Sequence, residues 1–177
     1  CHPGSTARAN PEQTESFATT HLRNINEPKN GKENEPLSDI ILHHYPPSPV
    51  SEKVRVVLGI KNLDWRSVTI PRLPPKPDLM PLTGGYRLTP VMQIGADVYC
   101  DSHSIIREIE RLNPEPTLFP GGAAGMAWGV GRWTDGPLFT SVIALVFGDA
   151  GDDLPDDFRE DRGPLYFGAG YDIAQMT

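Results

Sequence analysis

The stretch that decides the fold is Asp39-Ile40-Ile41-Leu42-His43-His44-Tyr45-Pro46-Pro47-Ser48-Pro49-Val50-Ser51-Glu52-Lys53-Val54-Arg55-Val56-Val57-Leu58-Gly59. It opens with Asp39–His43, where Ile40, Ile41 and Leu42 form a short, fully apolar run of the kind a central strand needs. Tyr45 to Pro49 carries three prolines and breaks the strand. A helix from about Pro49 to Leu58 follows. Proline suits the first helical position, and Ser48 before it suits the N-cap. Val50, Val54, Val57 and Leu58 share one face, while Glu52, Lys53 and Arg55 fall mostly on the other. Gly59 is a natural C-terminal stop.

Downstream, Trp65–Ile70 has strand character. Residues 71–81 carry five prolines (Pro71, Pro74, Pro75, Pro77 and Pro81) and read as loop or polyproline with at most one turn of helix. Val91–Ile94 and Ala96–Cys100 flank Gly95 and read as a hairpin turning at Gly95-Ala96 or Ala96-Asp97. Asp101-Ser102 opens a helix that ends near Leu112. Ile105, Ile106, Ile109 and Leu112 make its apolar face, and Asn113-Pro114 stops it. The order β-α-β, long loop, β-β-α predicts an α/β domain with a mixed four-stranded sheet, which is the thioredoxin-like arrangement.

On either side the texture changes. Residues 1–38 are rich in Asn, Glu, Pro, Ser and Thr and read as a disordered tail, too poor in apolar surface to offset ordering entropy. Residues 120–177 resume helical spacing. Met126, Val130 and Trp133 sit at i, i+4 and i+7, and Leu138, Val142, Leu145 and Val146 follow. Pro137 should kink or split this run. The acidic residues 149–164 read as loop. A first residue that is Cys1 rather than Met reads as a fragment or a processed product.

Composition excludes several classes. The 177 residues include 16 Lys+Arg against 23 Asp+Glu, a formal net charge of −7, and no basic patch, which argues against nucleic acid. No apolar run reaches membrane-span length. Two cysteines, Cys1 and Cys100, make neither a disulfide framework nor a zinc motif, and a cytoplasmic, reducing setting is the natural reading. Cys100 reads as a small core hydrophobe. His43, His44 and His103 invite a metal reading, but neighbours on a strand point to opposite faces, so no metal site is expected.

Three local motifs add a resemblance. His44-Tyr45-Pro46-Pro47-Ser48-Pro49-Val50-Ser51-Glu52-Lys53-Val54-Arg55 resembles the first loop and helix of glutathione transferases. Thr89-Pro90-Val91-Met92 resembles the cis-proline turn that enters their third strand. Asp101-Ser102-His103-Ser104-Ile105 resembles the acidic-Ser-x-x-Ile motif that opens their third helix. The three occur in the family's order and spacing over residues 39–119, and residues 120–177 resemble the start of the family's all-helical second domain.

The resemblance implies an enzyme that binds glutathione as co-substrate and stabilises its thiolate for attack on a hydrophobic electrophile, assembled as a homodimer. A free thiol ionises near pH ~8.5, so the protein must favour the charged form. Ser48 is the expected catalytic hydroxyl, with Tyr45 and Ser51 as rivals. Tyr45 sits where a side chain can simply pack at the strand end, and Ser51 where it can simply face water. A cis bond at Pro90 would present the backbone of Thr89 to the cysteinyl part of glutathione. Asp101 and Ser102 would hold the γ-glutamyl end, although plain helix capping explains them as well. The same resemblance leaves room for a non-catalytic glutathione-binding or scaffold module. Serines at 48 and 51 in place of a Cys-x-x-Cys pair argue against a glutaredoxin-like oxidoreductase.

Overall fold

A computed structural model describes residues 39–150 and 153–170. The expected disordered tail over 1–38 lies outside the described residues. The elements in order are β1 (Ile40–His44), α1 (Pro49–Ile60), β2 (Trp65–Thr69), α2 (Leu79–Thr83), β3 (Val91–Ile94), β4 (Asp97–Cys100) and α3 (Ser102–Leu112). They are followed by α4 (Ala124–Trp133), a wide π-helical turn (Thr134–Leu138), α5 (Phe139–Ala150) and α6 (Asp156–Phe167).

The four strands form one mixed sheet in the order β2-β1-β3-β4, with β1 and β2 parallel and the other two pairings antiparallel. This is a thioredoxin-like fold followed by a helical region. The α1 crossover joins the parallel pair, as a parallel connection requires. β1 runs one residue further than its sequence suggests. His44 pairs with Thr69, and its carbonyl accepts from the Ile70 amide at 2.9 Å.

The sheet carries a hydrophobic cluster on each face. Leu42 joins Val54, Val57 and Leu58 of α1, Met92 of β3, and Ile105, Ile106 and Ile109 of α3. Each fully buried aliphatic side chain of this kind stabilises the fold by roughly 1.5–3 kcal/mol. On the other side of the sheet, Ile70, Leu79 and Val91 form a smaller cluster with Tyr86, Val98 and half-buried Cys100 against it. Val50 is only half-buried, because it lies at the edge of the α1 stripe.

One reading of the sequence needs correction, that of the acidic segment. The proline-rich stretch is loop apart from one short helix, α2, in keeping with the single turn expected there, and α2 ends on Gly84 at φ 63. The Thr83 hydroxyl has the Tyr86 carbonyl at 2.7 Å and the Leu79 carbonyl at 3.0 Å as acceptors for its one hydrogen, which ties the end of α2 to the segment that follows. The acidic segment is not all loop, since Asp156–Phe167 is helical. Asp156 and Asp157 lie in its first turn, where carboxylates favour the helix dipole. Asp156 also pairs with Arg159 one turn on, and Phe158 is buried against Phe147 of α5. Aromatic burial and end-charge complementarity outweigh the low apolar content. Pro137 falls in the wide turn between α4 and α5, so the run is split there as expected.

A buried ion pair fastens the last turn of α3. Lys61, just past α1, pairs with Glu110 and donates to the Asn113 carbonyl at 2.6 Å. Glu110 also accepts from Thr117 Oγ1 at 2.7 Å and from the Leu118 amide at 3.2 Å. A second clasp joins the helical region to the sheet's helices. Asp135 in the wide turn accepts from Lys53 of α1 and meets His103 Nε2 of α3 at 2.6 Å. Gly131 makes room for it, as a Cβ there would stand 3.3 Å from His103 Cε1.

Candidate functional site

Strand register decides where the three motifs meet. His43 near the end of β1 is opposite Val91, which opens β3, and Val91 is in turn opposite Cys100, which closes β4. The segments just beyond those positions therefore share one end of the sheet. They are Tyr45–Ser48, Thr89-Pro90 and Asp101-Ser102. Each sequence-predicted site residue lies in one of them or, for Ser51, one helical turn further on.

Ser48 is the N-cap of α1, with Pro49 at the first helical position. Its hydroxyl accepts from the Ser51 amide at 3.1 Å, and its own amide donates to the Tyr45 carbonyl at 3.1 Å. Because the oxygen accepts the capping bond, the hydroxyl hydrogen is left to donate elsewhere. Ser48 is 3% exposed. Ser51 does not face water. It is fully buried, and its hydroxyl has no hydrogen-bond partner among the described residues. Its place under the first turn of α1 makes it part of the interior.

The Thr89-Pro90 bond is cis, and Pro90 is fully buried. Asp101 caps α3 by accepting from the His103 amide at 3.3 Å, while its backbone adopts φ 74. That region is unfavourable for a residue with a Cβ, and such conformations gather at binding sites. Ser102 is buried, with its hydroxyl 3.5 Å from Asp101 Oδ1. The Asp101 carboxylate is felt by Tyr86, whose hydroxyl pKa is raised by burial first and by that charge second.

Two groups at this end were not singled out from the sequence. Lys76 is only 4% exposed, and its ammonium donates to the Arg87 carbonyl at 2.9 Å. Its Nζ lies 6.0 Å from the centre of the Tyr45 ring. Burial, then the like charges of Arg162 and Arg87, lower its pKa to about 8 against the pull of Asp161. Arg87 pairs with Asp161 at 2.7 Å, and Arg162 donates to the Arg72 carbonyl at 2.6 Å, so α6 closes over this loop. The signal in the sequence was the lone basic residue inside Pro74-Pro75-Lys76-Pro77. The second group is Arg55. Its guanidinium donates to the Pro46 carbonyl (2.9 Å) and to Glu52 (2.6 Å), and meets His44 Nδ1 at 2.8 Å.

The histidines divide as strand alternation requires. His44 is buried, with Nε2 2.8 Å from Ser67 Oγ and its ring edge-on to Trp65. Burial, then the neighbouring Arg55 charge, lower its pKa despite Glu52. His43 lies on the other face, and its Nε2 is buried without a partner. No cluster of three or more metal-ligating side chains occurs among the described residues. No helix among them is long and apolar enough to cross a membrane. Trp128 packs against His103 and Phe119 with the Arg107 guanidinium 5.4 Å from its ring centre, whereas Trp133 is exposed.

Comparison with known proteins agrees with this layout. A glutathione S-transferase-like protein from Pseudomonas syringae is 42% identical, with a TM-score of 0.59, over 78% of this chain and 44% of its own. The tau-class glutathione S-transferase of mango, Mangifera indica, shares the fold at 20% identity and a TM-score of 0.57, over 62% of this chain and 51% of its own. Glutathione transferase F2 of Populus trichocarpa does so at 19% and 0.51, over 71% and 65%. The chain thus spans about half the length of the first two solved relatives. No curated protein matches it in sequence. Residues 42–117 match the family described as glutathione S-transferase, N-terminal domain. With the sheet order, the three motifs at one sheet end and the 42% identical neighbour, this identifies residues 42–117 as a thioredoxin-like N-terminal domain of the glutathione S-transferase type.

Proposed function

We propose that the chain binds glutathione at the motif end of the sheet and stabilises its thiolate for attack on a hydrophobic electrophile. The observation that carries this reading is the convergence of Tyr45–Ser48, Thr89-Pro90 and Asp101-Ser102 at one sheet end, with Ser48 at a helix N-terminus. In it, Ser48 donates its hydroxyl hydrogen to the sulfur, and the α1 dipole favours the negative charge. The thiol proton leaves to solvent. The sulfur lone pair forms the new carbon–sulfur bond as the electrophile's leaving group departs or its π bond opens.

The Thr89 backbone pairs with the cysteinyl backbone of glutathione, and Asp101 and Ser102 take the γ-glutamyl ammonium and carboxylate. Lys76 is the natural counterion for the glycine carboxylate, because a buried ammonium with spare donors gains most from an anion. The division that goes with this function is a glutathione-binding domain over 39–119 and a helical region from 120 that holds the electrophile. A cytoplasmic setting and a homodimer belong to the same proposal.

Ser48→Ala tests the assignment. Turnover with a thiol-conjugation substrate should fall by about 10²-fold, the scale for losing one preorganised donor to a developing anion, while the circular dichroism spectrum stays unchanged. Persistent turnover in this variant, together with loss in Tyr45→Phe, would move the role to Tyr45. The second reading, a non-catalytic binding module, is favoured by the open apolar ridge on α4 and α5, which has the texture of a binding surface. Retention on immobilised glutathione without turnover of any electrophile would select it, and failure to be retained would remove both.

A further inference from the structure

The loop that carries Ser48 is short of backbone donors. Pro46, Pro47 and Pro49 have no N–H, so the segment can tie itself down only through a few groups. One such tie is the Ser48 amide to the Tyr45 carbonyl, at 3.1 Å. Arg55, two turns along α1, supplies others from the side. One planar guanidinium reaches the end of β1 at His44, the loop at the Pro46 carbonyl and the first turn of α1 at Glu52.

The chemistry of these contacts fixes the protons. Arg has five N–H donors and no acceptor, so His44 Nδ1 must accept. The ring is then neutral with its hydrogen on Nε2, which donates to Ser67 Oγ on β2 at 2.8 Å. The chain Ser67–His44–Arg55 thereby braces the loop against β2, with Pro46 and Glu52 as its forward contacts.

We propose that Arg55 is a positioning residue that holds the Tyr45–Ser48 loop at the angle from which the Ser48 hydroxyl meets the glutathione sulfur. The catalytic part rests on the function proposed above, while the loop-holding part stands by itself. A lysine cannot replace this group, because an ammonium is a point donor and cannot serve three acceptors spread around a plane.

The test uses the full chain with Arg55→Lys and Arg55→Met. Hydrogen exchange needs no ligand. The Ser48 and Ser51 amides should exchange about tenfold faster in both variants, while the Leu42 and Met92 amides keep their protection. Unchanged exchange at Ser48 and Ser51 would overturn the proposal. With glutathione bound, thiolate absorbance should titrate about one unit higher in both variants, tenfold less thiolate at a given lower pH. The kcat should fall by about tenfold, with KM for glutathione within about twofold. A merely structural role would reduce the folded fraction and leave that titration midpoint in place. Wild-type behaviour in Arg55→Lys, with the losses confined to Arg55→Met, would make the charge rather than the planar fork responsible and would also overturn the proposal. Faster exchange in the variants of a wild-type protein that binds no glutathione would uphold the loop-holding role and sink the glutathione reading alone.

Discussion

The sheet region and the helical region handle the same residue types in opposite ways. In residues 39–119 most aliphatic side chains of β1, β3, α1 and α3 close on one another, and Leu42, Val54, Leu58, Met92 and Ile105 are wholly shielded, while Val56 and Ile60 on the outer side of α1 stay half exposed. In α4 and α5 the aliphatic residues largely face outward. Met126 is 76% exposed and Leu145 69%, with Val130, Trp133, Val142 and Val146 each about half exposed. Phe147 is the buried exception, held by Phe158, Tyr166 and Phe167. Helical periodicity tells which residues share a stripe but not whether another element covers it.

The contrast can be broken most directly in the sheet region. Leu42→Ala should lower unfolding free energy by about 2–5 kcal/mol, the range for opening a cavity in a closed aliphatic core. Urea denaturation checks it, and a loss as small as that of a surface change would mean that the first core is not closed.

A weaker effect is expected from acid. Burial pushes the Asp135 carboxyl up, but hydrogen bonds from Lys53 and His103 outweigh it, and the group sits below its ordinary value. Glu110 behaves alike, with burial opposed more strongly by Lys61, Thr117 and the Leu118 amide. A carboxyl whose folded pKa is depressed contributes stability that is present above its unfolded pKa and lost as pH falls through the folded one. Both clasps should therefore hold at neutral pH and release below the ordinary carboxylate range. The Trp128 ring lies tilted against His103, with ring centres 5.3 Å apart, so its fluorescence should report the Asp135 clasp. Acid titration of Asp135→Asn should show that part of the change gone, and an unaltered fluorescence titration would remove the clasp as its cause.

The smallest effect belongs to the open ridge. Leu145→Ala should change stability by no more than about 0.5 kcal/mol, since it removes a side chain that is already in water. A large loss measured by the same urea method would show that something covers the ridge in solution.

How much of this was legible in the sequence follows from the kind of signal involved. Strand and helix types in residues 39–112 were readable because apolar spacing, the prolines at 46, 47 and 49, and Asp101-Ser102 all pointed the same way. The Asp156–Phe167 helix was missed because its support is tertiary. Phe158 and Phe147 are 11 positions apart, and end charges look like loop charges until a helix exists. At the site, the capping serine was visible as a local pattern. Lys76 and Arg55 were not, because a cation's meaning depends on what it donates to. Arg55 even looked like part of the wet face. Ser51 failed for a related reason, since a hydroxyl one turn into a helix is as compatible with the interior as with water.

The wide turn at Thr134–Leu138 has one more consequence, which concerns phase. Met126, Val130 and Trp133 step by four and three, and Leu138, Val142 and Leu145 step by the same amounts. The interval between the two sets is five, the repeat of a π-helical bond, whereas an uninterrupted α-helix would need four. The extra residue absorbs a rotation of about 100°, one residue's share of an α-helical turn. Two stripes that would otherwise diverge around the axis are brought into line along a single side of the rod. The proline that interrupts the helix thus sits at the splice that keeps its apolar edge straight.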